Sequence, residues 1–243
     1  MKQNFLCIET GSKRGSLALY TVSQSNIEHM TDLWWEKQSS HSEVITDKLQ
    51  QILSEHPLSM KDLDFLVLGV GPGSFTGIRV GLNFAKSLAY SLQIPIFSFS
   101  SLQVLACEAH KSRLPILVMM KAFKNLIYTA TYFPDNERLS EVHAPSAQTP
   151  QEIEANFCGK PHVVLGDAFD TFKDFFSPGF KYSITRSPTH PFFPQAKTLG
   201  ELFLIEQTSA QPKSWQEIKP LYIRGSEAEE KLRSGVLRPV PKI

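Results

Sequence analysis

The chain has 243 residues, of which 42% are hydrophobic and 20% charged, and its 25 basic and 24 acidic residues give a net charge of +1. This composition is typical of a globular protein with one large or two small domains and a sizeable core. The balanced charge argues against tight, autonomous binding to nucleic acid, which needs a strongly basic surface.

Targeting signals and disulfides are not expected either. No stretch approaches the ~20 apolar residues of a membrane span, and the apolar run before Glu9 is too short for a signal peptide. Cys7, Cys107 and Cys158 are far apart and form no CxxC pair. We therefore expect a cytoplasmic protein, without membrane contact, whose cysteines are reduced.

The first hundred residues predict the element order β-β-β-α-β-α-β. Apolar alternation predicts an antiparallel meander of three strands, and helical spacing predicts a helix from His41 to His56, with Ser40 or Ser42 as its cap and Pro57 just past it. The remaining elements are strands at 65–70 and 94–99, a long helix from Ile78 to Leu92 and a short helix at 101–109.

A glycine-rich turn, Gly71-Pro72-Gly73-Ser74-Phe75-Thr76-Gly77, joins the fourth strand to the long helix. Free N–H groups at the start of a helix suit an anion, which makes Gly73 and Ser74 candidate phosphate contacts. The turn lacks the Lys-Ser/Thr of a Walker loop and the last glycine of a dinucleotide loop. The glycines are equally explained by a tight turn, so both interpretations stay open.

The long helix has an apolar arc of roughly 200°, twice what a helix on one sheet needs. Along it, Gly77, Gly81, Ala85 and Ala89 repeat every four residues, a row of small side chains that allows another backbone to come close. Either the helix is enclosed within its own protein, or the spare face meets a partner subunit.

The second half of the chain predicts a similar arrangement. Strands are predicted at 115–120, 127–133, 138–143, 162–165 and 182–185, with a turn at Pro134-Asp135-Asn136, and helices beginning near Thr149 and spanning 168–176 and 194–207. Two such halves indicate a duplicated α/β architecture of two lobes around a cleft. We place the lobes at residues 1–109 and 110–243, and expect the basic tail from about residue 225 to be loose.

One sequence stretch, Gly71 to Gly81 followed by Ala85-Lys86-Ser87-Leu88-Ala89, resembles the signature of the TsaB (YeaZ) family. Further matches are Ile8-Glu9-Thr10-Gly11, His41-Ser42 and Pro220-Leu221-Tyr222-Ile223-Arg224. The resemblance is dense over the first hundred residues and thin beyond them.

This resemblance implies a two-lobed actin/Hsp70/sugar-kinase-like fold with mixed sheets flanked by helices. It implies a non-catalytic subunit for threonylcarbamoylation of the adenosine beside the anticodon in tRNAs that read codons beginning with A. The implied partners are a TsaD-like catalytic subunit and a TsaE-like ATPase. Homodimers through the first-lobe helices are implied too, and tRNA would be reached only through the complex.

The resemblance also allows a test for catalysis. In such folds an acid at the end of the first strand holds metal-bound phosphates, and Glu9 matches it, followed by Gly11 and Ser12; a strand-end acid that only caps a turn is the alternative. At the second strand end, where the family has Asp-Ala-Arg and then Glu, this chain has Lys121, Phe123 and Leu126. Lys121 cannot hold Mg²⁺, so we expect no ATP hydrolysis by the chain alone.

Other catalytic chemistries find no support in the sequence. The seven histidines form no H-x-x-x-H pair, which argues against a zinc protease and any metal site, and His41 is interpreted as a packing or capping residue. Neither Ser12 nor Ser74 lies in a G-x-S-x-G elbow. Gly166-Asp167 is either a nucleoside-contacting turn or an Asx turn.

Three hypotheses follow: a scaffold that binds partners, an independent ATP-dependent phosphotransferase or ATPase, and a tRNA binder that uses the basic tail. The scaffold is the leading one, with no cofactor and with ATP bound only at an interface with partners. Its predicted partner-facing residues are Val44, Leu49, Ile52, Gly77, Ile78, Gly81, Leu82, Ala85, Leu88 and Ala89.

Overall fold

The computed structural model of the chain describes residues 2–24, 26–36, 41–56, 58–135, 138–186 and 192–223. The expectations for Ser40, Pro57, Asn136, Arg224 and the basic tail lie outside these ranges. Among the described residues, no helix combines the length and the apolar character needed to cross a membrane.

The first sheet has five strands in the order β3-β2-β1-β4-β5. They are β1 (Lys2–Glu9), β2 (Arg14–Ser23), β3 (Asn26–Glu36), β4 (Phe65–Gly69) and β5 (Ile96–Phe99). The first three form an antiparallel meander, and β4 and β5 join β1 in parallel. The predicted meander followed by a βαβ unit is confirmed.

Three helices accompany this sheet: α1 (His41–Ser54), α2 (Phe75–Leu92) and α3 (Ser101–Cys107), with a 3₁₀ turn at Met60–Asp62. Helix α2 begins one turn earlier than predicted, because the Ser74 hydroxyl accepts a hydrogen bond from the Gly77 N–H and caps it. Helix α1 begins at His41, so Ser42 lies in its first turn and not at the cap.

The second sheet has the order β10-β9-β6-β7-β8. Its strands are β6 (Ile116–Lys121), β7 (Ile127–Asp135), β8 (Arg138–Gln148), β9 (His162–Leu165) and β10 (Ile184–Thr185), and its helices are α4 (Pro150–Phe157), α5 (Ala168–Thr171), α6 (Pro178–Ser183) and α7 (Ala196–Glu206).

Three predictions for this half were wrong in detail. The helix expected over 168–176 ends at Thr171 and is followed by a 3₁₀ turn, and Tyr182, expected in a strand, lies in helix α6. Pro134 and Asp135, expected in a turn, are the last two residues of β7. The start of α4 is confirmed, with Thr149 and Glu152 forming a capping box.

Helices α3 and α7 lie between the two sheets and connect them. Helix α7 contacts β1, β2 and β4, whereas α3 contacts β6 and β7, so each helix packs on the sheet of the other half. One hydrophobic cluster therefore contains Phe5 and Tyr20 of the first sheet and Val118 and Tyr132 of the second. Helices from both sides of the expected lobe boundary at residue 109 therefore pack on the opposite lobe. Two mixed sheets flanked by helices confirm the predicted two-lobed fold.

Candidate functional site

The end of β1 encloses the first candidate residue, Glu9, within the protein. Its Oε1 accepts a hydrogen bond from the Gly11 N–H at 2.7 Å, and its Oε2 accepts one from the Ser101 hydroxyl at 2.8 Å. Burial raises the pKa of Glu9, and these hydrogen bonds oppose the rise. A Cβ at Gly69 would lie 1.9 Å from Glu9 Oε2, so the side chain fills the space that this glycine leaves.

The glycine-rich turn packs directly on the residues that follow Glu9. The Ser74 N–H donates to the Gly11 carbonyl at 2.7 Å, and a Cβ at Gly73 would lie 2.0 Å from the same oxygen. The Thr10 hydroxyl donates to the Gly77 carbonyl at 2.8 Å. Of the two interpretations, these contacts favour the turn as construction, because its glycines permit close backbone packing.

A cleft of about 450 Å³ lies between the lobes, next to this turn. From the first lobe it is lined by Gly11, Ser12, Lys13 and residues 72–75, and from the second by residues 120–123, Tyr128 and Asp167; Ile78, Phe193 and residues 221–223 complete it. Four of the predicted anion-contact residues thus face a common space: Gly11, Ser12, Gly73 and Ser74. Glu9, the fifth, is not among the described residues of the lining.

The second strand end opens into this cleft. Strand β6 ends at the exposed Lys121, whose backbone N–H donates to Asp167 Oδ1 at 2.8 Å. Burial raises the pKa of Asp167, although hydrogen bonds and the charges of Lys13 and Lys121 oppose the rise. Gly166 has φ +97°, and a Cβ there would lie 2.3 Å from the Met119 carbonyl. The Gly166-Asp167 turn thus supports the end of β6.

Among the described residues that line the cleft, there is no histidine or cysteine. The His41 ring is buried; its Nδ1 accepts from the Trp35 indole N–H at 3.0 Å and its Nε2 lies 3.2 Å from the Ser12 carbonyl. These bonds agree with a packing role for His41. Within the described ranges, no group of three or more His, Cys, Asp and Glu residues could hold a metal ion.

The row of small residues on α2 faces the chain's own sheet, not the solvent. A Cβ added at Gly81 would lie 2.3 Å from Thr10 Oγ1, and Ala85 is 0% exposed. The predicted interface residues that are buried in this way are Gly77, Ile78, Gly81, Leu82, Ala85 and Ala89 of α2, and Leu49 and Ile52 of α1. A partner cannot contact these positions without opening the lobe, so the predicted contact set needs correction. Val44 and Leu88 are half-buried and remain accessible.

Residues 213–223, which we call the C-terminal strap, contact α2 near both of its ends. Lys213 pairs with Ile96 at the sheet edge, and Trp215 packs edge-on against Tyr90, with 5.4 Å between ring centroids. At the other end of α2, the Tyr222 ring stacks on Phe75. The strap thus covers aromatic side chains at both ends of α2.

Sequence analysis missed the strap because the segment has no helical or strand periodicity. The Leu221 N–H donates to the Val70 carbonyl at 2.8 Å, and the Tyr222 hydroxyl accepts from Arg79 Nε at 3.0 Å. The available signal was the resemblance of the segment from Pro220 to Arg224 to the family. Residues 221–223 of this segment form one wall of the cleft.

A polar stripe remains exposed along α2. We define the outer stripe of α2 as Asn83, Ser87 and Tyr90, of which Tyr90 is 61% exposed. The half-buried side chains Val80, Phe84 and Leu88 lie beside it. Another protein can reach α2 along this stripe.

Comparisons with known proteins agree with this fold. Residues 36–235 match the model of the family described as "TsaD: tRNA N6-adenosine threonylcarbamoyltransferase". The chain resembles two solved structures from Pseudomonas aeruginosa at 18% identity: a protein similar to peptidase YEAZ (TM-score 0.77, covering 91% of this chain and 100% of the other) and YeaZ (0.76, 90% and 99%).

Curated relatives carry the name tRNA threonylcarbamoyladenosine biosynthesis protein TsaB. Identity is 32% over 143 residues to the protein of Buchnera aphidicola subsp. Schizaphis graminum (57% of this chain, 65% of the relative) and 32% over 137 residues to that of Bacillus subtilis (56% and 58%). The matches therefore span less than two thirds of these two relatives. The Haemophilus influenzae protein is 24% identical over 239 residues, 93% of this chain and 96% of the relative.

The family model covers most of the chain, the relatives that match it are named TsaB, and the solved YeaZ structures share its fold. The chain therefore belongs to the TsaB (YeaZ) proteins of the tRNA N6-adenosine threonylcarbamoyltransferase family.

Proposed function

We propose that this chain is an interaction subunit in the biosynthesis of threonylcarbamoyladenosine in tRNA, and that it acts by binding a TsaD-like catalytic subunit. The names of the curated relatives support the pathway. In this proposal a TsaE-like ATPase completes the complex, tRNA is reached only through it, and the chain itself needs no cofactor.

The observation that carries the non-catalytic role is the state of the two strand ends. Mg²⁺ bound to phosphates needs carboxylate or similar oxygen ligands. The Glu9 carboxylate is enclosed by Gly11 and Ser101, and the end of β6 presents Lys121. Among the described lining residues, Asp167 supplies the one carboxylate, and its Oδ1 already accepts the Lys121 N–H.

We place the partner contact on the outer stripe of α2 and the half-buried side chains beside it. An exposed polar stripe next to Val80, Phe84 and Leu88 provides a small apolar centre with a polar rim, as protein interfaces commonly do. Helix α1 packs against α2 and adds the half-buried Val44. A second copy of this chain is the other occupant that the same surface accepts.

The test uses the double variant Asn83→Arg, Ser87→Arg. Both side chains are exposed, so charged substitutions there should leave the stability of the fold nearly unchanged. We expect unchanged melting, at least about a hundredfold weaker binding to the TsaD-like subunit, and loss of threonylcarbamoylation in a reconstituted reaction. Gln151→Arg, on the exposed face of α4, is the matched control and should leave binding intact.

Equal affinity of the double variant and the wild-type protein would contradict the placement on α2. Gly81→Leu does not serve as an interface test, because its side chain would collide with Thr10 and weaken the fold itself.

An ATP-dependent phosphotransferase is the second candidate. It is favoured by the size of the cleft, about 450 Å³, and by Lys13 and Lys121 in its lining, which suit phosphate groups. Saturable micromolar binding of ATP with turnover by the isolated chain would support it over the interaction subunit.

A further inference from the structure

Exposed aromatic rings lie beside cations in both lobes, next to the mouth of the cleft. In the first lobe, the guanidinium carbon of Arg14 is 4.8 Å from the centre of the Trp34 ring. In the second lobe, Lys124 Nζ is 5.8 Å from the centre of the Phe123 ring. The two rings are 58% and 46% exposed, so each has a large free surface beside a positive charge.

A third pair follows the same pattern. The guanidinium carbon of Arg186 is 5.8 Å from the centre of the Phe192 ring, which is 44% exposed. Arg186 Nη2 also lies 3.5 Å from the carbonyl of Gly166, the residue before the cleft-lining Asp167. Phe192 is likewise next in sequence to a lining residue, Phe193. The third pair therefore belongs to the same surface.

The cleft lining connects these pairs. The guanidinium carbon of Arg14 lies 5.8 Å from the centre of the Phe193 ring, and Phe193 lines the cleft. Lys13, Lys121 and Phe123 are lining residues as well. We define the aromatic rim as the cations and exposed rings of this surface, which are Lys13, Arg14, Trp34, Lys121, Phe123, Lys124, Arg186 and Phe192.

The aromatic rim has positive charge that its neighbours do not neutralise. Its two arginines each have an acidic partner, Glu36 and Asp170. Its three lysines are exposed and form no ion pair with any residue of the described ranges. The acid among the described lining residues is Asp167. Three lysines against one carboxylate leave a surface that attracts anions.

Cations interleaved with free aromatic surface match the chemistry of a single-stranded nucleic acid. Its phosphates are attracted to Lys and Arg, and its unpaired bases stack on aromatic rings. An acidic protein segment would use the lysines but has no base to stack on the rings, and a duplex keeps its bases paired inside. The exposed rings are therefore the observation that favours a single strand.

We propose that the aromatic rim binds single-stranded RNA, with phosphates at its lysines and bases against Trp34, Phe123 and Phe192. The choice of RNA rests on the proposed function, and the rim gives the RNA of that pathway a direct contact on this chain. Three lysines release few counterions, so the isolated chain binds weakly and the complex remains the unit that holds the RNA. A mononucleotide offers one base, whereas a strand engages several rings at once.

The test is fluorescence anisotropy of a labelled single-stranded RNA of about twelve nucleotides, titrated with the isolated chain. We expect a Kd on the order of 100 μM at about 50 mM salt and about tenfold weaker binding at about 150 mM. The double variant Lys121→Gln, Lys124→Gln should bind at least about fivefold more weakly, with a salt dependence that is shallower by about 1.4 in the log–log slope. The matched control is Lys61→Gln, Lys111→Gln, which removes the same charge from exposed lysines outside the rim and should change neither quantity.

Trp34→Ala distinguishes base stacking from charge. Because Trp34 is 58% exposed, the variant should melt like the wild-type protein. We expect binding at least about fivefold weaker with an unchanged salt slope, and weaker binding of base-paired RNA than of the single strand by the wild-type protein. Equal affinity of Trp34→Ala for the single strand, or binding of oligoglutamate as tight as that of the RNA, would overturn the proposal in favour of an acidic protein partner.

Photo-cross-linking of a 4-thiouridine RNA to the wild-type protein does not depend on any variant folding. We expect cross-links at Trp34, Phe123 or Phe192. Cross-links confined to other surfaces, or no binding at about 50 mM salt with up to about 1 mM protein, would overturn the proposal. Binding of the TsaD-like subunit is tested separately on the outer stripe of α2, so failure of the RNA contact and failure of the proposed function are distinguishable.

Discussion

The ends of β1 and β6 occupy corresponding positions in the two lobes, yet they are built in opposite ways. The end of β1 is closed: its acid, Glu9, is 0% exposed and is held by Gly11 and Ser101. The end of β6 is open: Lys121 is exposed, and its neighbours line the cleft. In the first lobe the strand-end carboxylate is buried, and in the second lobe the strand end presents a lysine to the cleft.

The position of an acid in the sequence does not by itself determine its chemistry. Glu9 stands where a metal-binding acid is expected in this fold, but its environment makes it part of the core. Gly69 and Gly11 provide the space and the hydrogen bond that direct its side chain inward. The chemistry of the cleft is therefore decided by what surrounds each strand end.

The largest expected effect on stability comes from a substitution that disrupts the packing at the end of β1. In Gly73→Ala the new Cβ would lie 2.0 Å from the Gly11 carbonyl, so the turn or β1 must move. We expect a loss of about 3 kcal/mol or more in the free energy of unfolding, measured by urea denaturation. Gly179→Ala is the control: its Cβ meets nothing closer than 3.4 Å, and we expect a change below about 1 kcal/mol.

Substitutions of Glu9 distinguish a role in packing and hydrogen bonding within the core from a role that depends on its negative charge. Glu9→Ala leaves the Gly11 N–H and the Ser101 hydroxyl unpaired beside a cavity, and should cost about 2–4 kcal/mol in unfolding free energy. In Glu9→Gln, by contrast, the amide oxygen accepts from Gly11 and the amide N–H donates to Ser101. We expect that variant to lie within about 1 kcal/mol of the wild-type protein and to support threonylcarbamoylation. Loss of that support in a folded Glu9→Gln would show that the charge itself is needed.

The same pair of proteins gives a pH dependence. Burial raises the folded-state pKa of Glu9 above its ordinary value of 4.5, so the folded protein holds this proton more tightly than the unfolded chain. The resulting stability is fully present below pH 4.5 and is lost as the pH rises through the folded-state pKa. The stability of the wild-type protein relative to Glu9→Gln should therefore fall as the pH rises from 4.5. A wild-type protein that becomes more stable relative to Glu9→Gln as the pH rises over this range would contradict the burial of Glu9 without a neighbouring cation.

A smaller effect is expected at the open end. Asp167→Ala removes the acceptor of the Lys121 N–H and should lower the free energy of unfolding by about 1 kcal/mol, whereas Asp167→Asn keeps an acceptor oxygen and should lower it by less than about 0.5 kcal/mol. Urea denaturation of both variants measures the difference. Equal losses would show that the charge of Asp167, rather than this hydrogen bond, supports the end of β6.

Sequence reasoning predicted the elements of the first lobe well because their signals are local. The apolar run of β4 and the residue spacing along α2 each determine structure within a few residues. It failed on which face of α2 is free, since this depends on Thr10, 67 residues from Gly77, and on a strap more than 120 residues away. The inward orientation of Glu9 depends likewise on Ser101. Such tertiary contacts leave no periodicity in the sequence.

The claim that neither strand end holds a metal-bound nucleotide is tested most directly by calorimetric titration of the isolated chain with ATP and Mg²⁺. We expect no saturable binding up to about 1 mM and no phosphate release, because the Glu9 carboxylate is enclosed and Lys121 offers no metal ligand. Saturable micromolar binding that requires Mg²⁺ and is lost in Glu9→Gln would contradict it.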